Sequence, residues 1–151
     1  MTILPTVKTW KTVTSSEEET QDWAKQFAQC LHPGDVLALQ GGLGAGKTVF
    51  CRGLARGLGF LGDVHSPSYA LVHEYPHHPP IYHIDLYRLG PQADWQEIGL
   101  DYYAFGSGIT LIEWPERLES LDVGIRFWVR IEALDVNRRQ IVVSQKDRNG
   151  I

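Results

Sequence analysis

Three hydrophobic patterns alternate along this chain, and each predicts a different element. Trp23, Ala24, Phe27, Ala28 and Leu31 recur at three- and four-residue spacing, which places them on one stripe of a helix. Ser16 followed by Glu19 matches a capping box at its start, and His32-Pro33-Gly34 stops it. Asp35 to Gln40 is instead an unbroken apolar run behind Pro33-Gly34, the pattern of a parallel strand covered on both faces. Helical spacing returns from Val49 to Leu58, with Phe50, Leu54 and Leu58 on one face. Ala70 to Tyr75, Ile81 to Asp85 and Ile109 to Glu113 are further strand candidates, with a helix over Trp95 to Phe105 between the latter two. Val7 to Val13 alternates weakly with polar residues, as an edge strand does. Arg126 to Glu132 alternates Phe127, Val129 and Ile131 with Arg126, Trp128, Arg130 and Glu132. Gln140 to Ser144 follows across a turn containing Asn137, so this pair predicts an antiparallel hairpin.

Between the Asp35 run and the Val49 helix stands Gly41-Gly42-Leu43-Gly44-Ala45-Gly46-Lys47-Thr48, which satisfies the phosphate-loop pattern G-x-x-x-x-G-K-[ST]. Glycines let successive N–H groups turn toward phosphate oxygens, and a helix starting near Gly46 adds its positive dipole end. Gly41, Gly42, Leu43, Gly44, Ala45, Gly46, Lys47, Thr48 and the adjoining Val49 are therefore the candidate nucleotide site. Lys47 neutralises the outer phosphates, and Thr48 offers its hydroxyl to Mg²⁺, which prefers oxygen ligands. The fold expected around this loop is an α/β three-layer P-loop NTPase, with a mostly parallel central sheet and antiparallel edge strands.

Composition narrows the rest. A chain of 151 residues with ordinary apolar content is read as one domain, with a polar tail from Lys146 to Ile151 that frays. The net charge of −4 argues against a nucleic-acid surface working by general electrostatics, whether for DNA or RNA. Cys30 and Cys51 are read as packing residues, and the lack of a secretory or membrane-length segment points to the cytoplasm.

Hydrolysis needs carboxylates beside the metal and something to place a water. The runs Ile81 to Asp85 and Ile109 to Glu113 each end on an acid, and in a parallel sheet both acids emerge on the edge where phosphates lie. Asp85 and Glu113 join Lys47 as candidate catalytic residues, and join Thr48 as candidate metal ligands. Val64-His65-Ser66-Pro67-Ser68-Tyr69 is hydroxyl-rich and stiffened by proline. It suits a segment that closes over a γ-phosphate, and on composition alone it suits a plain turn. His73, His77, His78 and His83 fall within eleven residues but lack H-x-x-x-H spacing or a Cys pair, so solvation in a loop accounts for them. Arg117, Arg126, Arg130, Arg138 and Arg139 could make a basic strip for tRNA or an acidic partner surface, but alternate charges on an edge strand more often just face water.

Four motifs in order resemble the bacterial TsaE (YjeE) family, which serves tRNA threonylcarbamoyladenosine (t6A) synthesis. They are Gly41 to Thr48, Ser66-Pro67-Ser68-Tyr69, His83-Ile84-Asp85-Leu86-Tyr87-Arg88-Leu89 and Leu111-Ile112-Glu113-Trp114-Pro115-Glu116, within a likeness spanning about residues 15 to 143. The resemblance implies an ATPase that works with the partners TsaB and TsaD on position 37 of tRNAs reading codons that start with A, and that meets tRNA indirectly. It carries over Thr48 and Glu113 as Mg²⁺ ligands, Asp85 as a carboxylate near metal and water, and Ser66 and Ser68 as switch-segment hydroxyls. Trp114 is similar to the family's tryptophan beside the nucleotide, and Arg138 matches a basic position that the family shows before its last strand, which makes it a candidate nucleotide contact. Gly42 replaces the family's usual Asp or Asn, and Ser68 replaces its usual Thr.

Rival functions lack their own signals. A GTP-dependent switch needs a guanine-reading [NT]-K-x-D, which is absent, and the D-x-x-G at Asp147 to Gly150 lies in the tail. A small-metabolite kinase needs an arginine-rich lid, and none is visible. A non-catalytic ATP-binding adaptor shares every motif of the ATPase.

Overall fold

The apolar runs become the inner strands of one sheet. The computed structural model describes residues 6–64, 71–89, 98–119 and 121–147. Its strands are β1 (Thr6–Thr14), β2 (Val36–Gln40), β3 (Val72–Tyr75), β4 (Ile81–Asp85), β5 (Ile109–Glu113), β6 (Phe127–Ala133) and β7 (Arg139–Lys146). They stand in the order β1-β7-β6-β2-β5-β4-β3. The central strands β6, β2, β5 and β4 are mutually parallel, while β7 and β1 on one flank and β3 on the other add antiparallel pairs. The α/β sheet expected from the sequence is therefore the one observed.

Helix α1 (Glu17–Phe27) starts at Ser16, whose Oγ accepts the Glu19 N–H at 3.1 Å. Glu19 reciprocates one residue early, accepting the Ser15 N–H at 3.3 Å. Helix α2 (Lys47–Leu58) follows the phosphate loop, and the short α3 (Leu100–Ala104) precedes β5. Of the helix read over Trp95 to Phe105, residues 95–97 lie outside the described residues, as does Ala70 of the β3 run.

α1 and α2 cover one face of the sheet, where Phe27, Phe50 and Leu54 interlock with Leu37, Leu39 and Phe127. Gly53 permits their close approach, since a Cβ there would lie 2.4 Å from the Gln21 carbonyl oxygen. On the opposite face Val36, Ile84 and Ile112 pack against Leu100, Leu118 and Val123. β2 is thus buried on both sides, which is why its sequence does not alternate.

β6 does alternate, with Phe127, Val129 and Ile131 buried and Arg130 exposed. It is nevertheless not the edge strand that its charges suggested: it lies between β7 and β2. Its alternation reflects one uncovered face rather than an unpaired edge, and Arg126 just before it pairs with the buried Asp35 at 3.0 Å. Among the described residues no helix is long and apolar enough to cross a membrane.

Candidate nucleotide and metal site

The connection from β2 to α2 lies at the carboxyl edge of the parallel strands. Gly44 and Gly46 hold φ of 75° and 106°, the left-handed region that side chains disfavour. Gly46 caps α2 without a side-chain bond, and the first helical bond runs from the Phe50 N–H to the Gly46 carbonyl at 2.9 Å. The N–H groups of Lys47, Thr48 and Val49 therefore have no acceptor within the helix and point out of its positive end, the arrangement that receives phosphate oxygens.

Lys47 is buried, and its Nζ donates to the Gly41 carbonyl at 2.7 Å. The same ammonium sits 3.7 Å from the ring centroid of Trp114. Burial lowers its pKa from the ordinary lysine value, against the opposing pull of Glu113 and Asp85. Trp114 reaches this place through a left-handed backbone, φ 60° and ψ 50°, directly after β5. For a non-glycine residue that conformation costs about 1 kcal/mol or more, and such strain persists where the surroundings over-determine it.

The two acids come from neighbouring strands in parallel register, Asp85 opposite Glu113. Alternate residues of a strand share a face, so His83 and Asp85 on β4 and Leu111 and Glu113 on β5 lie on the α2 side. Both acids line a cavity of about 360 Å³ with Tyr87, Trp114 and the loop from Leu43 to Val49. Asp85 accepts the Tyr87 N–H at 2.8 Å. Burial raises its carboxyl above the usual aspartate value, the Tyr87 bond opposes this, and the nearby Glu113 adds to it. Thr48 and Glu17 of α1 line the same cavity, so the oxygen donors gathered there include the Thr48 hydroxyl and three carboxylates. An all-oxygen set beside a phosphate-binding loop fits Mg²⁺.

The structure thus brings together the loop, Lys47, Thr48, Val49, Asp85, Glu113 and Trp114. Ser66 and Ser68 lie outside the described residues. Arg138 is not brought to the loop: its Nε donates to Asp135 at 2.7 Å and both side chains are exposed. Its neighbour Arg139 is there instead, with Nε donating to the Ala45 carbonyl at 2.9 Å and Nη2 reaching the Gly44 carbonyl at 3.4 Å. Arg139 also lines a second hollow of about 140 Å³ behind the loop, with Ser16, Thr20, Val49, Val136 and Asn137. Adjacent residues at a strand start point opposite ways, and no periodic signal in the turn says which of the two arginines turns inward.

His83 was also missed. It is fully buried, with Nε2 at 2.5 Å from Glu113 Oε2 and Nδ1 at 2.9 Å from the Tyr75 hydroxyl. Loop solvation therefore does not account for it, although the exposed His78 and the half-buried His77 do lie in the β3–β4 connection. The available signal was its spacing, two residues before Asp85 on a period-two strand. Cys51 of α2 packs over this group, and ligand-type atoms of Cys51, His83 and Glu113 lie within 4.8 Å of one another. Desolvation pushes the Cys51 thiol well above its usual range, so it serves the core as a neutral side chain.

A parallel-centred sheet with this loop between β2 and α2, and acids at the ends of adjacent strands, defines a P-loop NTPase fold. Comparison with known proteins narrows the class. The family model described as "Threonylcarbamoyl adenosine biosynthesis protein TsaE" matches residues 14–141, and the chain belongs to the TsaE family. A Bacillus subtilis (strain 168) relative, tRNA threonylcarbamoyladenosine biosynthesis protein TsaE, is 40% identical over 137 residues, covering 90% of this chain and 77% of its own. The Synechocystis protein of that name is 47% identical over 111 residues, 68% of each chain. The Treponema pallidum one is 36% identical over 132 residues, 87% of this chain and 98% of its own. The crystal structure of Bacillus subtilis YdiB superposes with a TM-score of 0.79 at 36% identity, over 94% of this chain and 88% of that one.

Proposed function

We propose that this protein is a cytoplasmic, Mg²⁺-dependent ATPase that supports repeated rounds of t6A formation on tRNA, acting with TsaB and TsaD and meeting tRNA through them. One observation carries the reading: a single cavity gathers the phosphate loop, Lys47, Thr48 and the paired acids Asp85 and Glu113. The loop N–H groups and the start of α2 hold the phosphates. Lys47 leaves the Gly41 carbonyl for the outer phosphate oxygens, which offer it full charge in place of a partial one. Thr48 and Glu113 hold the metal, and Asp85, less acidic than an exposed aspartate, orients the attacking water. Magnesium, when bound, neutralises charge that develops on the phosphate oxygens. The nucleoside end occupies the adjoining hollow between Ser16, Val136 and Arg139. The names carried by its relatives supply the biological setting.

The protein alone is expected to hydrolyse ATP slowly and to form no t6A. Hydrolysis instead resets a partner complex. The test is t6A formed per TsaB–TsaD complex with wild-type protein, with Glu113→Ala, or with neither. Wild type is expected to sustain many turnovers and the other two to stall early. Full multiple turnover with the variant, or with this protein omitted, refutes the role and favours a non-catalytic adaptor or no involvement.

A further inference from the structure

We propose that His83 is a positioning residue for Glu113: a buried hydrogen-bonded string from Tyr75 through His83 commits one oxygen of the Glu113 carboxylate and leaves the other for the metal. This rests on the reading of Glu113 as a metal-side acid.

The string crosses three strands by one diagonal step at each boundary. His83 stands opposite Leu111, two residues before Glu113 on β5, and opposite His73, two residues before Tyr75 on β3. Diagonal neighbours on one face are within reach of long and aromatic side chains. The protons follow from the partners. An ionised Glu113 only accepts, so His83 Nε2–H donates to Oε2; in the neutral imidazole Nδ1 is then the acceptor and the Tyr75 hydroxyl donates to it. Tyr75 is fixed in turn by Phe60, stacked at 5.1 Å between ring centroids, and Cys51 closes the group from α2.

A glutamate at a strand end otherwise keeps several rotamers, which disfavours a ligand that must meet the metal with one oxygen at a set distance. Tyr75, His83 and Glu113 are all nearly inaccessible, so water does not compete for the bonds that select one rotamer. Side chains that orient a metal ligand in this way typically govern metal affinity rather than nucleotide affinity.

The experiment measures ATP affinity by calorimetry on the full chain, in EDTA and across a Mg²⁺ titration, with thermal unfolding as a control. His83→Leu is expected to raise the Mg²⁺ needed for half of the metal-dependent gain by about ten-fold, with affinity in EDTA held within about two-fold. His83→Gln, whose amide N–H reaches the same carboxylate, is expected to restore most of that loss, and Tyr75→Phe to raise the requirement by about three-fold. A core role alone lowers the unfolding midpoint without moving the Mg²⁺ requirement. If His83→Leu needs only wild-type Mg²⁺ while Glu113→Gln needs more, the positioning role is overturned and the metal role of Glu113 stands. If Glu113→Gln also needs only wild-type Mg²⁺, both are overturned. Should His83→Leu fail to fold, Tyr75→Phe decides: no shift in a folded Tyr75→Phe protein overturns the string.

Discussion

The flank of β1 and β7, with the inner strand β6 beside it, and the carboxyl edge of β2, β5 and β4 belong to one sheet but are built on opposite principles. On the flank, Phe127 is buried against Phe27 at 5.4 Å and Trp10 at 6.2 Å between ring centroids, so most of the gain is apolar area removed from water, with charge only at the border, where the Arg126 guanidinium lies 5.3 Å from the Phe127 ring centroid. At the edge, Lys47, His83 and Glu113 are buried beside a tryptophan in left-handed backbone. The flank makes the fold stable. The edge gives up some of that stability in return for partly desolvated charges held in a preformed cavity, where they act on a ligand more strongly than in bulk water.

Exchanging the roles of the two regions tests this contrast most severely. Phe127→Ala is expected to lower the unfolding free energy by about 3–5 kcal/mol in urea titration, while the folded fraction keeps wild-type ATP affinity. A cost under about 1 kcal/mol, the size of an average substitution, breaks the contrast. Lys47→Ala is expected to do the reverse. ATP turnover drops by a factor on the order of 100 or more, the scale of losing one preorganised charge-stabilising group, and the unfolding midpoint stays near wild type. A well-folded Lys47→Ala protein with unchanged ATP affinity and turnover removes the phosphate-loop assignment.

A pH series sharpens the comparison at Asp85. Because burial raises this carboxyl, the folded state favours its protonated form. Its favourable contribution is present below the ordinary aspartate range and is lost as pH rises through the raised one. Asp85→Asn should therefore match wild type at low pH and melt above it at pH 7, in EDTA, while losing ATPase activity. A melting difference that is flat or shrinks as pH rises contradicts the account.

The smallest effect separates two glycines of the loop. A Cβ at Gly42 meets nothing within 4 Å and its φ is not in the left-handed region, whereas Gly46 sits at φ 106°. Gly42→Ala is expected to stabilise by about 0.4–1 kcal/mol through the unfolded chain. Gly46→Ala is expected to destabilise by about 1–2 kcal/mol through its left-handed backbone. Equal effects in chemical denaturation erase the distinction.

Much of this was legible in the residues. The phosphate loop declares itself because its chemistry is local: the glycines, the lysine and the threonine act within one turn of backbone. The acids were legible because a parallel strand ends where phosphates lie, so Asp85 and Glu113 could be placed by pattern alone. His83 was legible only as far as its face, which its spacing from Asp85 gives; its role depends on what crosses from β3 and β5, and β4 does not record those partners. Arg139 was hidden for a related reason: Arg138 and Arg139 differ only in which way a turn delivers them.

By itself, then, the order of apolar runs, caps and turns determined the element sequence, the α/β class and the nucleotide loop, since each depends on interactions within a few residues. Tertiary structure alone decided that β6 is an inner strand, that Arg139 reaches the loop, and that Tyr75, His83 and Glu113 form one buried string. Those facts rest on strand order and diagonal register. Burial and hydrogen-bond satisfaction across distant segments select them, and no single stretch of sequence contains both partners.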